Sequence, residues 1–441
     1  MNTKPFVRIL SYATVVMLVL LPFHAVFTTW IGSNYGHLDL IRIWKELLLV
    51  PITLGALWLA LKDKKSRLWL KSSSTVTLVG AYVLVTILIG LRALLNRQVN
   101  STALIYALLA NLRFPIIFVV GLLLGRRTEW FVKNWQKWLL WPALIVVSFG
   151  LLQHFVLPIN FLSHFGYGPK TIPPYATVDQ KLAYVRIQST QRGANPLGAY
   201  LLLIITLLTG IVFEAKSKTR KAAGLFLLAT FICLFFTYSR SAWLGVALSL
   251  ILLAYWSINN SVIRKRLLIG TTIFIVILVA GLGIFRHSDS FQNTLFHTDE
   301  TSKSAESSNQ QRGQALKDGA KSIVHEPFGR GPGTAGPASV RNNHPPRISE
   351  NYFLQIGQEV GVIGLLLFLA INIEVGLLLY QNKQSMLMRV LLASLIGLTL
   401  VNMLSHAWAD DTLGLLWWAT AGLALSPVIL KLSHGNVQKK S

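Results

Sequence analysis

Apolar residues run through this chain in long blocks separated by polar connectors. Twelve such blocks fall at about residues 9–30, 41–61, 75–95, 104–124, 136–157, 196–213, 222–238, 241–258, 267–285, 352–380, 386–404 and 412–430. A helix crosses the hydrocarbon core with about 20 mostly apolar residues, and the backbone in lipid must satisfy its own hydrogen bonds, so each block predicts a helix. The expected fold class is therefore all-α, a polytopic membrane protein with about twelve transmembrane helices. Repeated spans pack as one bundle, so residues 1–441 are read as a single transmembrane domain. The first block, Ile9 to Trp30, exceeds a signal-peptide core and no small-residue cleavage site follows it, so it reads as a retained span.

Two polar connectors are long. Residues 158–195 form a loop rich in Pro, Gly and Tyr, and residues 286–351 form a large loop. Loops of this length are functional or disordered more often than structural. Within the second, Asp299 to Gln311 has the composition of a disordered stretch. The following "QRGQALKDGAKSIVHEP" spaces Ala315, Leu316, Ala320 and Ile323 as an amphipathic helix lying at the membrane surface.

Charge then gives the chain a direction. It is 53% hydrophobic and only 13% charged, yet carries a net charge of +24. The basic residues cluster between spans, in "KDKKSRLWLK", "GRR", "KSKTRK" and "IRKR", as the positive-inside rule expects of cytoplasmic loops. With both termini cytoplasmic, 23 Lys and Arg fall inside, 16 outside and two, Arg92 and Arg113, within spans. Half of the outside set lies in the one long loop that the rule does not govern. Both long loops are then extracytoplasmic, in a multi-pass protein of the inner or plasma membrane. No nucleic-acid-binding motif accompanies the charge, which excludes that partner. The single cysteine, Cys233, forms no intramolecular disulfide and reads as packing.

Signatures of soluble enzymes are missing: the sequence has no Walker loop, HExxH, GxSxG or Cys/His cluster with metal spacing. "GRGPGTAG" (329–336) lacks the Lys and the helix of a phosphate loop and reads as a turn. What remains is a group of outward arginines. Arg186 and Arg192 lie in "RIQSTQRGANPLGAYL" with Asn195, Arg240 lies in "YSRSAWLG" between spans seven and eight, and Arg312 lies on the amphipathic segment. Singly, each could snorkel to lipid phosphate. Together they fit a diphosphate, whose oxygens guanidinium forks grip bidentately at any relevant pH. Helix starts after "ANP" and "SEN" add positive dipole ends. Glu350 and Asn351 have two readings: Asn351 as a helix N-cap with a carboxylate beside it, or Glu350 as a general base for an acceptor hydroxyl.

In their order and spacing, "RIQSTQRGANPLGAYL", "FTYSRSAWLG", "EPFGRGPG" and "ENYFLQIGQEVGVIGLLLF" resemble the O-antigen ligase and polymerase superfamily. The resemblance implies a membrane glycosyltransferase (GT-C-like) fold and an extracytoplasmic active site. It also implies a donor glycan on a polyprenyl diphosphate and an acceptor that is a glycan, lipid or protein, with membrane lipids around it. The family's diphosphate-holding arginines fall on Arg186 or Arg192 and on Arg312, with Arg240 nearby. Ligases commonly place His before the Asn of the last motif and Gly eleven positions later. Here those positions are Glu350 and Gly361, and several polymerase-like relatives share an acidic residue there, so both subclasses stay open. No metal, cofactor or nucleotide sugar is required.

Other polar residues inside spans need partners or a wet cavity. Lys45, beside Glu46, is a candidate diphosphate contact, with pairing to Glu46 or to lipid as the alternative. Arg113 stands near the centre of span four. His406, Asp410 and Asp411 read as a hydrated loop rather than a cation site. Trp30, Trp138, Trp141, Trp417 and Trp418, near span edges, read as interfacial anchors. A transporter or flippase lined by Arg113, Lys45 and the His406–Asp411 group is the main rival, and a passive membrane scaffold is the second.

Overall fold

The computed structural model describes residues 4–125, 133–178, 181–266, 269–270 and 308–438. It is mostly helical. The helices used below are α1 (Lys4–Leu20), α2 (His24–Tyr35), α3 (Leu38–Arg42), α4 (Trp44–Lys62), α5 (Lys64–Ser72), α6 (Ser74–Leu95), α7 (Ser101–Gly125) and α8 (Trp135–Phe155). They continue with α9 (Ala194–Glu214), α10 (Ser217–Phe235), α11 (Arg240–Ser257), α12 (Ser308–His325), α13 (Tyr352–Gln381), α14 (Met386–Leu404) and α15 (Asp411–Gln438).

Nine stretches among the described residues are long and apolar enough to cross a membrane: Pro5–Tyr35, which joins α1 and α2, and helices α4, α6, α7, α8, α9, α11, α13 and α14. Each coincides with an expected span. Pro22 turns the first of them through the 3-10 segment Leu21–Phe23, because proline has no N–H to continue the helical ladder. The expected spans 222–238 and 412–430 lie on α10 and α15, which are helical but are not among the nine; α10 carries three basic residues in its first five. The expected span 267–285, apart from residues 269–270, lies outside the described residues, as do residues 299–307 of the expected disordered stretch. Residues Ser308–Gln311 of that stretch are helical and open α12, the expected amphipathic helix.

The chain divides into two compact units. The first comprises Met1–Ile145, Ala315–Asn382 and Asn402–Ser441. Its core is the contact of α7 with α15, where small residues let two backbones approach. A Cβ on Gly121 would lie 2.8 Å from the carbonyl oxygen of Ala419, and one on Gly125 would lie 2.8 Å from that of Leu423. Gly121 and Gly125 form a GxxxG pair, the spacing that brings membrane helices together without a hydrophobic driving force. Around it Trp418 packs against Phe114 and Phe118, with ring centroids 5.4 and 5.6 Å away, and Trp408 packs on Trp417 at 5.3 Å. Trp417, Trp418 and Trp138 are buried in the protein, so they are packing residues and not interfacial anchors; Trp30 and Trp141 are exposed.

The second unit comprises Val146–Gln314 and Lys383–Val401. Helix α9 is buried on nearly every face, as an all-round apolar helix must be, with α10 and α11 against it. Cys233 is buried in this packing, and a Cβ on Gly150 would come within 2.8 Å of its Sγ. The loop 158–195 departs from the all-α expectation. It contains a two-stranded antiparallel hairpin, β1 (Ala176–Val178) and β2 (Lys181–Arg186), with Ala176 opposite Arg186 and Thr177 opposite Val185.

Candidate functional site

Strand β2 ends on Arg186, and the chain then runs against the turn between α10 and α11. Ile187 N–H donates to Phe236 O at 3.1 Å. Arg186 Nε donates to Thr237 O at 2.9 Å and Nη2 donates to Asn195 Oδ1 at 2.6 Å. One guanidinium thus links the hairpin, the Thr237–Ser239 turn and the first turn of α9. Behind it, Gln153 Oε1 accepts from Gln188 N–H (3.3 Å) and Ser189 N–H (2.8 Å), while Ser189 Oγ donates to Val146 O at 2.6 Å. Arg240 opens α11 one residue after the buried Ser239 and is half-buried; Arg192 is exposed. The second unit therefore brings Arg186, Asn195 and the turn leading into Arg240 together. Arg312 falls on α12, and its side chain lies outside the described residues.

Glu350 and Asn351 belong to the first unit. Asn351 Oδ1 accepts from Leu354 N–H at 3.0 Å, which is the expected N-cap of α13, and its Nδ2 donates to Met403 O at 3.0 Å. Glu350, just ahead, is half-buried and has φ +49°. "GRGPGTAG" is a turn, with positive φ at Gly329, Gly331, Gly333 and Gly336, and it lies along α13 near Gly361.

Lys45 is held in a buried network. Its Nζ lies 3.2 Å from Glu46 Oε2 and 3.1 Å from Asp411 Oδ2, and donates to Arg42 O at 2.6 Å. Arg113 pairs with Glu46 Oε1 at 3.1 Å and with Asp411, and donates to Ala409 O at 2.6 Å. Trp44 Nε1–H donates to His24 Nδ1 at 2.9 Å, which leaves the proton of a neutral His24 on Nε2, 3.0 Å from Asp411 Oδ2. Two cations are thus ion-paired with two carboxylates, the condition under which buried ions are tolerated. The pairing alternative for Lys45 and Glu46 is thus present, extended to Arg113 and Asp411. The reading of Asp410 and Asp411 as a hydrated loop is corrected. Asp410 is buried and caps α15, its Oδ1 accepting from Thr412 N–H (3.0 Å) and Leu413 N–H (3.1 Å).

Backbone strain marks the same segments. Five non-glycine residues among those described have positive φ: His37, Arg97, Ser189, Tyr238 and Glu350. Three of them, Ser189, Tyr238 and Glu350, fall in the loop after Arg186, the Thr237–Ser239 turn before Arg240 and the position before Asn351. Such conformations persist where the surroundings enforce them, and they concentrate at functional sites.

Residues 223–369 match the O-antigen ligase family model. The matched stretch runs from within α10 to within α13 and takes in Arg240, Arg312, Glu350, Asn351 and the Gly-rich turn; Lys45, Arg186, Arg192 and Asn195 precede it. No curated protein matches the chain. The likeness to that family therefore covers about a third of the chain, which among its described residues carries nine helices long and apolar enough to cross a membrane.

Sequence reasoning passed over Glu359, although it stands inside the quoted "ENYFLQIGQEVG". A carboxylate eight residues into an apolar span is costly, and that was the available signal.

Proposed function

We propose that the protein transfers an assembled oligosaccharide from a polyprenyl diphosphate to an acceptor hydroxyl on the extracytoplasmic side of the membrane. The observation that carries this reading is the coincidence of the O-antigen ligase match with the turn strained at Tyr238, just before Arg240, and the strained residue Glu350. The Arg186 guanidinium, fixed against that turn, supports it further. In the reaction the acceptor oxygen attacks the anomeric carbon and inverts it. The bond from that carbon to the diphosphate breaks, and its electron pair leaves with the lipid diphosphate. Arg186, Arg192, Arg240 and Arg312 stabilise the departing charge, and Glu350 takes the hydroxyl proton.

A transporter would use an interrupted helix to coordinate cargo. Helix α13 is interrupted at Gly361, but the chain itself occupies the break, with Val362 N–H on Pro327 O at 2.8 Å. That favours transfer chemistry over transit.

The test uses purified protein in lipid with a polyprenyl-diphosphate oligosaccharide and candidate acceptors. Glu350→Gln and Arg312→Ala are expected to fold and to lose transfer; full transfer by Glu350→Gln removes the base. A ladder of products identifies a polymerase and a single adduct a ligase.

A further inference from the structure

An interruption in a membrane helix frees backbone groups that must find partners. At Gly361, with φ +76° and ψ −174°, the partners come from residues 327–331. Arg330 N–H donates to Gln358 O (2.9 Å), Gly331 N–H to Glu359 O (2.9 Å) and Val362 N–H to Pro327 O (2.8 Å). The Arg92 guanidinium donates to Gly329 O from the other side. The join is backbone on backbone: a Cβ on Gly329 would lie 2.5 Å from Glu359 O, and one on Gly361 would lie 2.5 Å from Pro327 O.

Glu359 stands at this join, wholly buried. Its Oε1 accepts from Gly333 N–H at 2.8 Å, and its Oε2 accepts from Asn111 Nδ2 at 2.7 Å and from Gln355 Nε2 at 3.5 Å. Ala335 N–H is a further donor. Asn111 Oδ1 in turn accepts from Tyr352 O–H at 3.1 Å. A single acceptor-only group thereby fastens the Gly-rich turn to α7 and, through Asn111, to the first residue of α13. Glu350 is two residues upstream of that anchor.

We infer that Glu359 is a positioning residue of the transfer reaction: through Asn111, Tyr352 and the Gly-rich turn it holds Glu350 in register with that turn. This rests on the role proposed for Glu350. Every partner of the carboxylate donates, so the position demands two acceptor oxygens. In Glu359→Gln one oxygen becomes an NH2 group. With the remaining oxygen facing Gly333, that NH2 meets the NH2 of Asn111, and turning Asn111 over costs the bond that the buried Tyr352 O–H donates to its oxygen. Gln355 can turn, since its Oε1 has no partner. The conflict is therefore confined to Asn111. Asn111→Asp removes it by supplying a carboxylate that accepts from both the new amide and Tyr352.

The experiment compares the wild type, Glu359→Gln and the Glu359→Gln/Asn111→Asp double variant as full-length protein in lipid. Three quantities are read: kcat and KM for a polyprenyl-diphosphate oligosaccharide, amide hydrogen exchange over residues 329–336, and thermal stability. Glu359→Gln is expected to lose at least tenfold in kcat with KM little changed, and to exchange faster at Gly331 and Gly333. The double variant is expected to recover both. Wild-type kcat and exchange in Glu359→Gln, or a double variant no better than the single one, overturns the inference. If the wild type transfers nothing from this donor, the role of Glu350 fails. The exchange readout still decides whether the carboxylate holds the turn.

Discussion

Arg186 Nη2 donates to Asn195 Oδ1 at 2.6 Å, so the end of a β-strand is tied to the first turn of the most deeply buried helix of its unit. The same guanidinium donates through Nε to Thr237 O, and two acceptors at fixed positions set the plane of the fork. A lysine ammonium has neither the planarity nor the second nitrogen to do this. Charge-assisted hydrogen bonds contribute about 1.5–3 kcal/mol each. Arg186→Lys is therefore expected to lower kcat/KM for the lipid-diphosphate donor by about tenfold or more, and Asn195→Ala by less. Steady-state transfer measured against donor concentration checks both. Equal activity in Arg186→Lys and wild type would remove Arg186 from the donor site.

The ion network makes a prediction about stability. Asp411→Asn leaves Glu46 as the remaining ion-pair partner of Lys45 and Arg113, with the buried Asp410 acting on Arg113 from farther off, and breaking a buried pair from one side costs about 3–5 kcal/mol. A clear fall in melting temperature in lipid or detergent is expected. Adding Lys45→Met to Asp411→Asn removes the cation left short of a partner and keeps the Arg113–Glu46 pair, and should recover part of the loss. If Asp411→Asn melts with the wild type, the network contributes little. The single variant Lys45→Met also separates the two readings of Lys45: a structural ion lowers the melting temperature, whereas a donor contact raises KM at constant stability.

Asn351 and Glu350 should separate in the same manner. The N-cap bond from Leu354 N–H to Asn351 is worth about 1 kcal/mol, so Asn351→Ala is expected to lower stability by that order and to leave residual transfer. Glu350→Gln keeps the shape of the side chain and removes the proton acceptor, so transfer should be lost at unchanged melting temperature. Thermal melts run beside the transfer assay distinguish them, and a reversed pattern would assign the chemistry to the wrong neighbour.

Nine of the twelve expected spans were legible because the length of an apolar run sets the length of a helix. The block 386–404 is helix α14 from end to end, and the block 352–380 differs from α13 by one residue. Partnership across long separations was not legible. Nothing local in "KEL" or "ADD" says that Lys45 meets Asp411, because the pairing follows from how α4, α7 and α15 pack. Trp417 and Trp418 misled for a related reason: a tryptophan near a span end looks the same in sequence whether it faces the headgroups or a neighbouring helix. The hairpin at residues 176–186 escaped because its strands have three and six residues, too short for alternation to stand out in a Pro-rich loop. Of the candidate site, the cap at Asn351 and the glycine turn could be read from residue type, since each rests on local backbone chemistry. The role of Glu359 needed the fold.

Gly361 offers the sharpest test of the joined turn. Its φ of +76° is one that side chains adopt at a cost, and a Cβ there would meet backbone, Pro327 O at 2.5 Å and Phe328 C at 2.6 Å, which has no rotamer by which to move away. Gly224, inside α10, is the matched control: its φ is not positive and a Cβ would meet nothing within 4 Å. Replacing a glycine by alanine in a helix is favourable by up to about 1 kcal/mol where the site accepts it. Gly224→Ala should therefore melt at or slightly above the wild-type temperature. Gly361→Ala should melt below it, with faster amide exchange at Arg330 and Gly331, whose N–H groups bond the carbonyls of Gln358 and Glu359. If the two alanine variants behave alike, the turn is not held by the break in α13, and the rigidity assigned to this corner of the first unit has another source.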